Sequence, residues 1–116
     1  MATLTAKLTL SSSNATSDQL NLSVSDTLSI TKDVIAPSKI ELSISDLTLF
    51  ATSYTKSYLY FKNLDSAINI TVSFGSQVSL ELGASEFTFL PWSGAGAVVV
   101  AAASGTPYLE YAIFEA

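Results

Sequence analysis

Cysteine, histidine and arginine are absent from this sequence of 116 residues. The absence of cysteine excludes disulfides and thiolate metal sites. The absence of histidine removes the side chain that most often serves as a general base or metal ligand near neutral pH. The carboxylates show no spacing that brings two of them together across a cleft, as glycoside hydrolysis requires. We therefore predict a protein that is not an enzyme, with no catalytic residue, cofactor or metal site.

Charge is also scarce. Charged residues make up 13% of the chain, and five lysines stand against ten acidic residues. The net charge of −5 disfavours binding to nucleic-acid phosphates and to anionic membranes, because both need clustered cations. The most apolar window, residues 95–103, is far shorter than the roughly 20 residues that cross a bilayer. The N-terminal residues lack a basic segment followed by an apolar core, so we expect no signal peptide. The sequence predicts neither a nucleic-acid partner nor a membrane partner.

What the sequence has in abundance is the alternation of apolar residues with small hydroxyl residues. The clearest runs place apolar side chains at Leu4, Ala6, Leu8 and Leu10, at Leu20, Leu22 and Val24, and at Ile68, Ile70, Val72 and Phe74. A period of two puts alternate side chains on opposite faces of a strand, so each run can bury one face and expose the other. No segment shows a sustained helical period of 3.6 residues. The pattern predicts strands throughout.

The strand candidates are evenly spaced and separated by turn residues. They are residues 3–10, 20–25 (or 20–31 if continuous), 39–45, 57–62, 67–74, 78–82, 87–90, 97–103 and 108–114. Eight or nine short strands of this kind predict an all-β fold, an antiparallel β-sandwich that is jelly-roll-like. The length fits a single domain over residues 1–116. Residues 1–19 are either its first strand or an N-terminal arm that adds a strand to a neighbour's sheet.

Three local features refine the strand assignment. Pro37 is expected to break the ladder of hydrogen bonds, because proline has no N–H to donate. A shift of apolar parity at Ser45 and Asp46 predicts a bulge or a tight turn, since a shift of one residue would otherwise turn the core face outward. Segments 20–26 and 40–46 share one pattern, with four identical positions. We interpret them as two strands of one sheet with the same alternation of apolar residues and the same closing Ser-Asp, or as a duplicated hairpin.

Aromatic side chains concentrate in the C-terminal half. Strand 57–62 is apolar on both faces, which is typical of a central strand or of one whose outer face meets a partner. Trp92 follows a proline where the chain leaves the sheet, and it either closes one end of the sandwich or contacts another subunit. The rings are core residues, interface anchors or a sugar-binding face. The candidate interface residues are Tyr54, Tyr58, Tyr60, Leu90, Pro91 and Trp92.

Four segments of the C-terminal half occur in a distinctive order. They read Tyr58-Leu-Tyr-Phe-Lys-Asn63, Leu82-Gly-Ala-Ser-Glu-Phe87, Phe89-Leu-Pro-Trp92 and Ala103-Ser-Gly-Thr-Pro-Tyr-Leu-Glu-Tyr111. In this order they resemble segments of small virion structural proteins of tailed bacteriophages, including phages of cyanobacteria. The resemblance covers residues 54–116. Two departures from the pattern are Ser85, which lengthens a turn, and the small apolar run 95–103.

The resemblance implies a virion protein, and the neutral composition agrees with it. The leading hypothesis is a capsid decoration, or cement, protein on the capsid surface that bridges neighbouring subunits of the major capsid protein. We expect it to act as a homo-oligomer, a trimer or a dimer, because symmetry multiplies modest contacts. The alternatives are a tail, baseplate or fibre component, and a carbohydrate-binding module for host adsorption.

Overall fold

The computed structural model describes residues 2–13, 20–30, 34–51, 55–75, 77–94 and 96–115. The regular structure within these ranges consists of ten strands joined into antiparallel sheets. The prediction of an all-β, sandwich-like chain is therefore confirmed. No helix in the described ranges has the length and apolarity needed to cross a membrane.

The strands follow one another with short connections. They are β1 Ala2–Ser12, β2 Leu20–Ile30, β3 Val34–Glu41, β4 Leu47–Phe50, β5 Ser57–Asn63, β6 Ile70–Phe74, β7 Gln77–Leu82, β8 Phe87–Trp92, β9 Val98–Ala102 and β10 Tyr108–Glu115. The chain divides into two compact units, Met1–Thr31 and Lys32–Ala116.

The first unit is a hairpin of β1 and β2. Ala2 lies opposite Ile30 and Ser12 opposite Leu20, with no shift of register between them. β2 is one continuous strand through Asp26, which is the longer of the two predicted alternatives. In the described residues, β1 pairs with β2 and belongs to neither four-stranded sheet. The arm that reaches a neighbour, and the single domain over residues 1–116, stay predictions.

The second unit is an eight-stranded jelly roll. One sheet has the order β3-β10-β5-β8 and the other the order β4-β9-β6-β7. The strands pair as a nested series: β6 with β7, β5 with β8, β4 with β9, and β3 with β10. A long antiparallel hairpin that is wound into two facing sheets produces this order, which is that of the jelly roll. The jelly-roll-like prediction is confirmed.

Both sheets of the jelly roll contribute to one core. β5 and β10 supply Leu59, Phe61, Leu109 and Ile113, and all four side chains are fully buried. From the other sheet come the fully buried side chains Ile70, Val72, Val98 and Val100. The alternating pattern of β5, β6 and β9 explains this packing, because every second side chain points between the sheets.

Two observed strand boundaries near prolines differ from the predicted ones. Pro37 lies within β3, and the ladder is interrupted there, as predicted. Ser38 lies opposite Tyr111 and Ile35 opposite Ile113, so the register shifts at Ala36 and Pro37 while the strand itself continues. Pro91 likewise lies within β8 rather than after it. β3 and β8 are the two edge strands of their sheet, and an edge strand tolerates a missing N–H donor.

The parity shift at residues 45 and 46 corresponds to a turn between the sheets. β3 ends at Glu41 and β4 begins at Leu47 in the opposite sheet. Within the turn, the backbone N–H of Ser45 donates to Oγ of Ser43 at 3.2 Å. The predicted turn is therefore confirmed, whereas the predicted strand 39–45 ends four residues early.

Asn63 is a buried polar anchor at the end of β5. Its Nδ2 donates to the carbonyl oxygens of Ile68 at 2.8 Å, Leu82 at 3.0 Å and Gly83 at 3.1 Å. Its Oδ1 accepts the backbone N–H of Asp65 at 2.9 Å. One amide thus ties the turn after β5 to the end of β7, which satisfies backbone groups that burial would otherwise leave unpaired.

Candidate functional site: an aromatic sheet face

The outer face of the sheet β3-β10-β5-β8 carries a group of aromatic side chains. The strand registers arrange it in three rows of directly opposed residues: Phe87, Lys62 and Glu110; Phe89, Tyr60 and Ala112; and Pro91, Tyr58 and Phe114. Directly opposed residues share one face of a sheet. We call Tyr58, Tyr60, Phe87, Phe89, Pro91 and Phe114 the aromatic face.

Local sequence explains how β5 and β8 build this face. In β5 the odd-numbered residues are buried, so Tyr58 and Tyr60 point outward. In β8 the buried Trp92 fixes the parity, and Phe87, Phe89 and Pro91 are exposed. Both strands therefore present bulky apolar residues on the side of the sheet opposite the core.

The aromatic face is open to solvent at β8. The side chain of Phe87 is 63% exposed and that of Phe89 is 40% exposed. The rings of Tyr58 and Phe89 are nearly parallel and stacked, with their centroids 6.0 Å apart. Lys56 Nζ lies 6.0 Å from the centroid of the Tyr58 ring, at the outer limit of a cation–π contact. The face is thus a preformed aromatic surface with a basic group at its margin.

One polar contact is built into the aromatic face. The hydroxyl of Tyr60 donates to Oε1 of Glu110 at 2.7 Å. Burial, followed by this hydrogen bond and the negative charge of Glu110, raises the pKa of Tyr60 to about 12. The hydroxyl is therefore neutral across the physiological range and fixes the orientation of its ring. A ring held in one rotamer loses little entropy when a partner covers it.

The six predicted interface residues fall into three groups. Tyr58, Tyr60 and Pro91 lie on the aromatic face. Leu90 and Trp92 point toward the core, where the Trp92 ring lies 6.4 Å from that of Phe50. Tyr54 lies outside the described residues. The structure thus brings three of the six together on one surface.

Phe87 and Phe89 belong to the site but were not among the predicted interface residues. Both are alternate residues of the same strand as Pro91, which was predicted to lie at the interface. The alternation in the sequence could therefore have identified them. What the sequence did not supply is the pairing of β8 with β5, which sets these rings beside Tyr58 and Tyr60.

Carboxylates elsewhere on the jelly roll form a weaker candidate. Glu41 and Asp46 line an open cleft of about 320 Å³ beside the turn between β3 and β4. A hydrogen bond to Glu41 raises the pKa of the Tyr108 hydroxyl. Among the residues that the structure describes, no group of three acidic side chains is placed to hold a metal ion.

A scan against protein-family models and a search of curated proteins each found no match to this chain. The role of the aromatic face must therefore be inferred from its geometry and its sequence.

Proposed function

We propose that this protein is a non-enzymatic structural component of a bacteriophage virion, a capsid decoration protein that binds the outer shell. The observation that carries the proposal is the exposed aromatic face, because a large apolar patch on a soluble protein is typical of an interaction surface. Tyrosine and other aromatic residues are enriched among residues that dominate binding energy.

Three further observations support a structural role. The jelly roll occurs in viral capsid proteins as well as in lectins and other classes, so the fold permits the role without specifying it. The order of the C-terminal segments resembles that of small phage virion proteins. The aromatic face also has little charge, with Lys62 and Glu110 side by side in one row. Such a face buries well against a neutral surface of a capsid subunit.

Phe87 offers the sharpest test of this interface. Replacing Phe87 with Ser removes the most exposed ring of the aromatic face while leaving the core intact. Loss of this burial weakens binding to the shell by roughly tenfold. Ile44→Ser is the matched control, because Ile44 is also highly exposed but lies in the turn after β3. Binding is measured by co-sedimentation with shells assembled without the protein, and folding by circular dichroism.

The cement function itself is tested on the same shells. The wild-type protein should raise the temperature at which shells open, with a copy number that scales with the number of capsid subunits. Phe87→Ser should lose this effect and Ile44→Ser should retain it. Equal protection by Phe87→Ser would remove the aromatic face from the proposal. Protein that co-purifies with isolated tails and never with heads would place it in the tail, the rival role within the same class.

A sugar-binding role is the second candidate, and it is favoured by the exposed ring of Phe87 beside Lys62 and Glu110. An open aromatic ring with polar neighbours is suited to stacking on a pyranose and to hydrogen bonding its hydroxyls. The test is a glycan array probed with the wild-type protein and with Phe87→Ser. Signals that the substitution abolishes support this role, and a flat response across the array ends it.

A further inference from the structure

The hairpin of β1 and β2 has one apolar face and one polar face. The even-numbered residues of both strands lie on the same side, since Leu8 is opposite Val24, Leu10 opposite Leu22, and Leu4 opposite Leu28. We call these six side chains the hairpin face. The opposite side carries threonine, serine and Lys7.

Four members of the hairpin face are exposed and contiguous. The exposed fraction is 53% for Val24 and 42–45% for Leu8, Leu10 and Leu22. They form two adjacent cross-strand pairs in the half of the hairpin nearest its connecting loop. By contrast, Leu4 and Leu28 at the other end are half-buried. A two-stranded hairpin is marginally stable in water unless its apolar face is covered, so the uncovered pairs point to an association surface.

We propose that the hairpin face binds the same face of a second copy of this chain. Two hairpins placed face to face about a two-fold axis form a small sandwich, with the sheets about 10 Å apart. A single self-complementary surface then covers the exposed side chains of both copies.

The distribution of charge favours this occupant. Residues 1–31 carry one lysine and two aspartates, which gives −1, whereas residues 32–116 carry four lysines and eight acidic residues, which gives −4. Of these hairpin charges, only Asp26 lies on the apolar side of the paired strands, opposite Ala6. Two hairpins therefore approach with little repulsion, while two jelly rolls repel one another.

The size of the hairpin face sets the strength of the dimer. Strands of 11 residues extend about 37 Å, and two of them form a face about 10 Å wide, so the hairpin can bury at most roughly 400 Å² per copy. A stable interface buries about 800 Å² per partner. The pairing is thus weak in dilute solution, and it becomes effective where many copies are held close together. This extends the proposed function, in which copies act jointly, but the surface is independent of the aromatic face.

Sedimentation velocity of the purified full chain tests the proposal without any shell. The wild-type protein should show a concentration-dependent shift from monomer to dimer between micromolar and millimolar concentrations. The double variant Leu8→Thr, Val24→Thr keeps strand-forming residues but makes one exposed pair polar, and it should raise the dissociation constant at least about tenfold. The control Thr5→Ser, Thr27→Ser alters a directly opposed pair on the polar side and should leave the constant unchanged.

A crosslinking measurement covers the case in which the double variant unfolds. Because the chain has no cysteine, Val24→Cys introduces a single thiol on the hairpin face and Thr9→Cys a single thiol on the polar side. Under oxidation, Val24→Cys should form disulfide-linked dimers more than Thr9→Cys does. The proposal would be overturned if the protein stayed a monomer at every concentration or formed a trimer. It would also be overturned if the double variant Leu8→Thr, Val24→Thr left the dissociation constant of the dimer unchanged. Failure of the wild-type protein to bind shells would end the proposed function and leave the hairpin dimer untouched.

Discussion

Leu22 and Leu42 occupy matching positions in two segments of similar sequence, yet their surroundings differ completely. Leu22 lies in the hairpin and is 42% exposed, whereas Leu42 lies just after β3 and is 2% exposed. Both are followed by serine. The difference arises because the jelly roll has a second sheet to cover its apolar side chains. Local alternation makes a strand, but burial requires another layer.

The same contrast separates the two units as a whole. The hairpin has a single sheet with one polar side, so its apolar side depends on whatever covers it. The jelly roll buries the inner faces of its two sheets. Its aromatic face lies on the outer side of one sheet, where its rings are not part of the core. We propose that each of these apolar surfaces, the hairpin face and the aromatic face, associates with another molecule.

The largest expected difference between the units comes from matched leucines. Leu109→Ala empties a fully buried core position and should lower the free energy of unfolding by about 4 kcal/mol. Leu10→Ala removes a side chain that is 43% exposed and should cost about 1 kcal/mol or less. Urea denaturation of both variants at low protein concentration measures this. Equal costs would contradict the contrast between a covered and an uncovered apolar face.

An effect of intermediate size is expected from two asparagines of the jelly roll, one buried and one exposed. Asn63→Leu removes the amide that pairs three carbonyl oxygens and one N–H, so it should cost about 3 kcal/mol. The control is Asn69→Leu, because Asn69 is exposed and its Nδ2 donates to Glu81. Its cost should stay within about 0.5 kcal/mol. Thermal melts compare the two variants, and a similar loss in both would show that burial of Asn63 is not what matters.

The smallest expected effect is a pH dependence confined to the jelly roll. Burial and Glu110 raise the pKa of Tyr60 to about 12, while the unfolded chain titrates near the ordinary phenol value of 10. Between these two values the unfolded state loses the proton first. The contribution of Tyr60 to stability is therefore complete below pH 10 and is lost as the pH rises toward 12.

Tyrosinate absorbance provides the measurement, since residues 1–31 contain no tyrosine. The difference between titrations of the wild type and Tyr60→Phe should show one phenol that ionises well above the ordinary range, and Glu110→Gln should lower its pKa part of the way, because burial remains. A difference curve centred on the ordinary value would refute the hydrogen-bonded geometry.

Much of the fold could be predicted from the sequence, because a period of two is a local property. The placement of Tyr58 and Tyr60 on one face of β5 followed from its parity, although which face points outward did not. The turn at Ser45 followed from a parity shift. The interruption of the ladder at Pro37 also followed from residue type, because proline has no N–H to donate. The continuation of β3 through Pro37 did not follow, since the edge position of β3 was not visible in the sequence.

The sequence by itself determined most of the strands, the faces along each of them, and the absence of cysteine, histidine and arginine chemistry. These properties depend on residue type and on the alternation of neighbours. The tertiary structure alone decided which faces became core and which stayed open. Pairing of β5 with β8, which are far apart in the chain, assembled the aromatic face, and four side chains of the hairpin face stayed exposed. Such outcomes depend on contacts between distant segments, which no local pattern encodes.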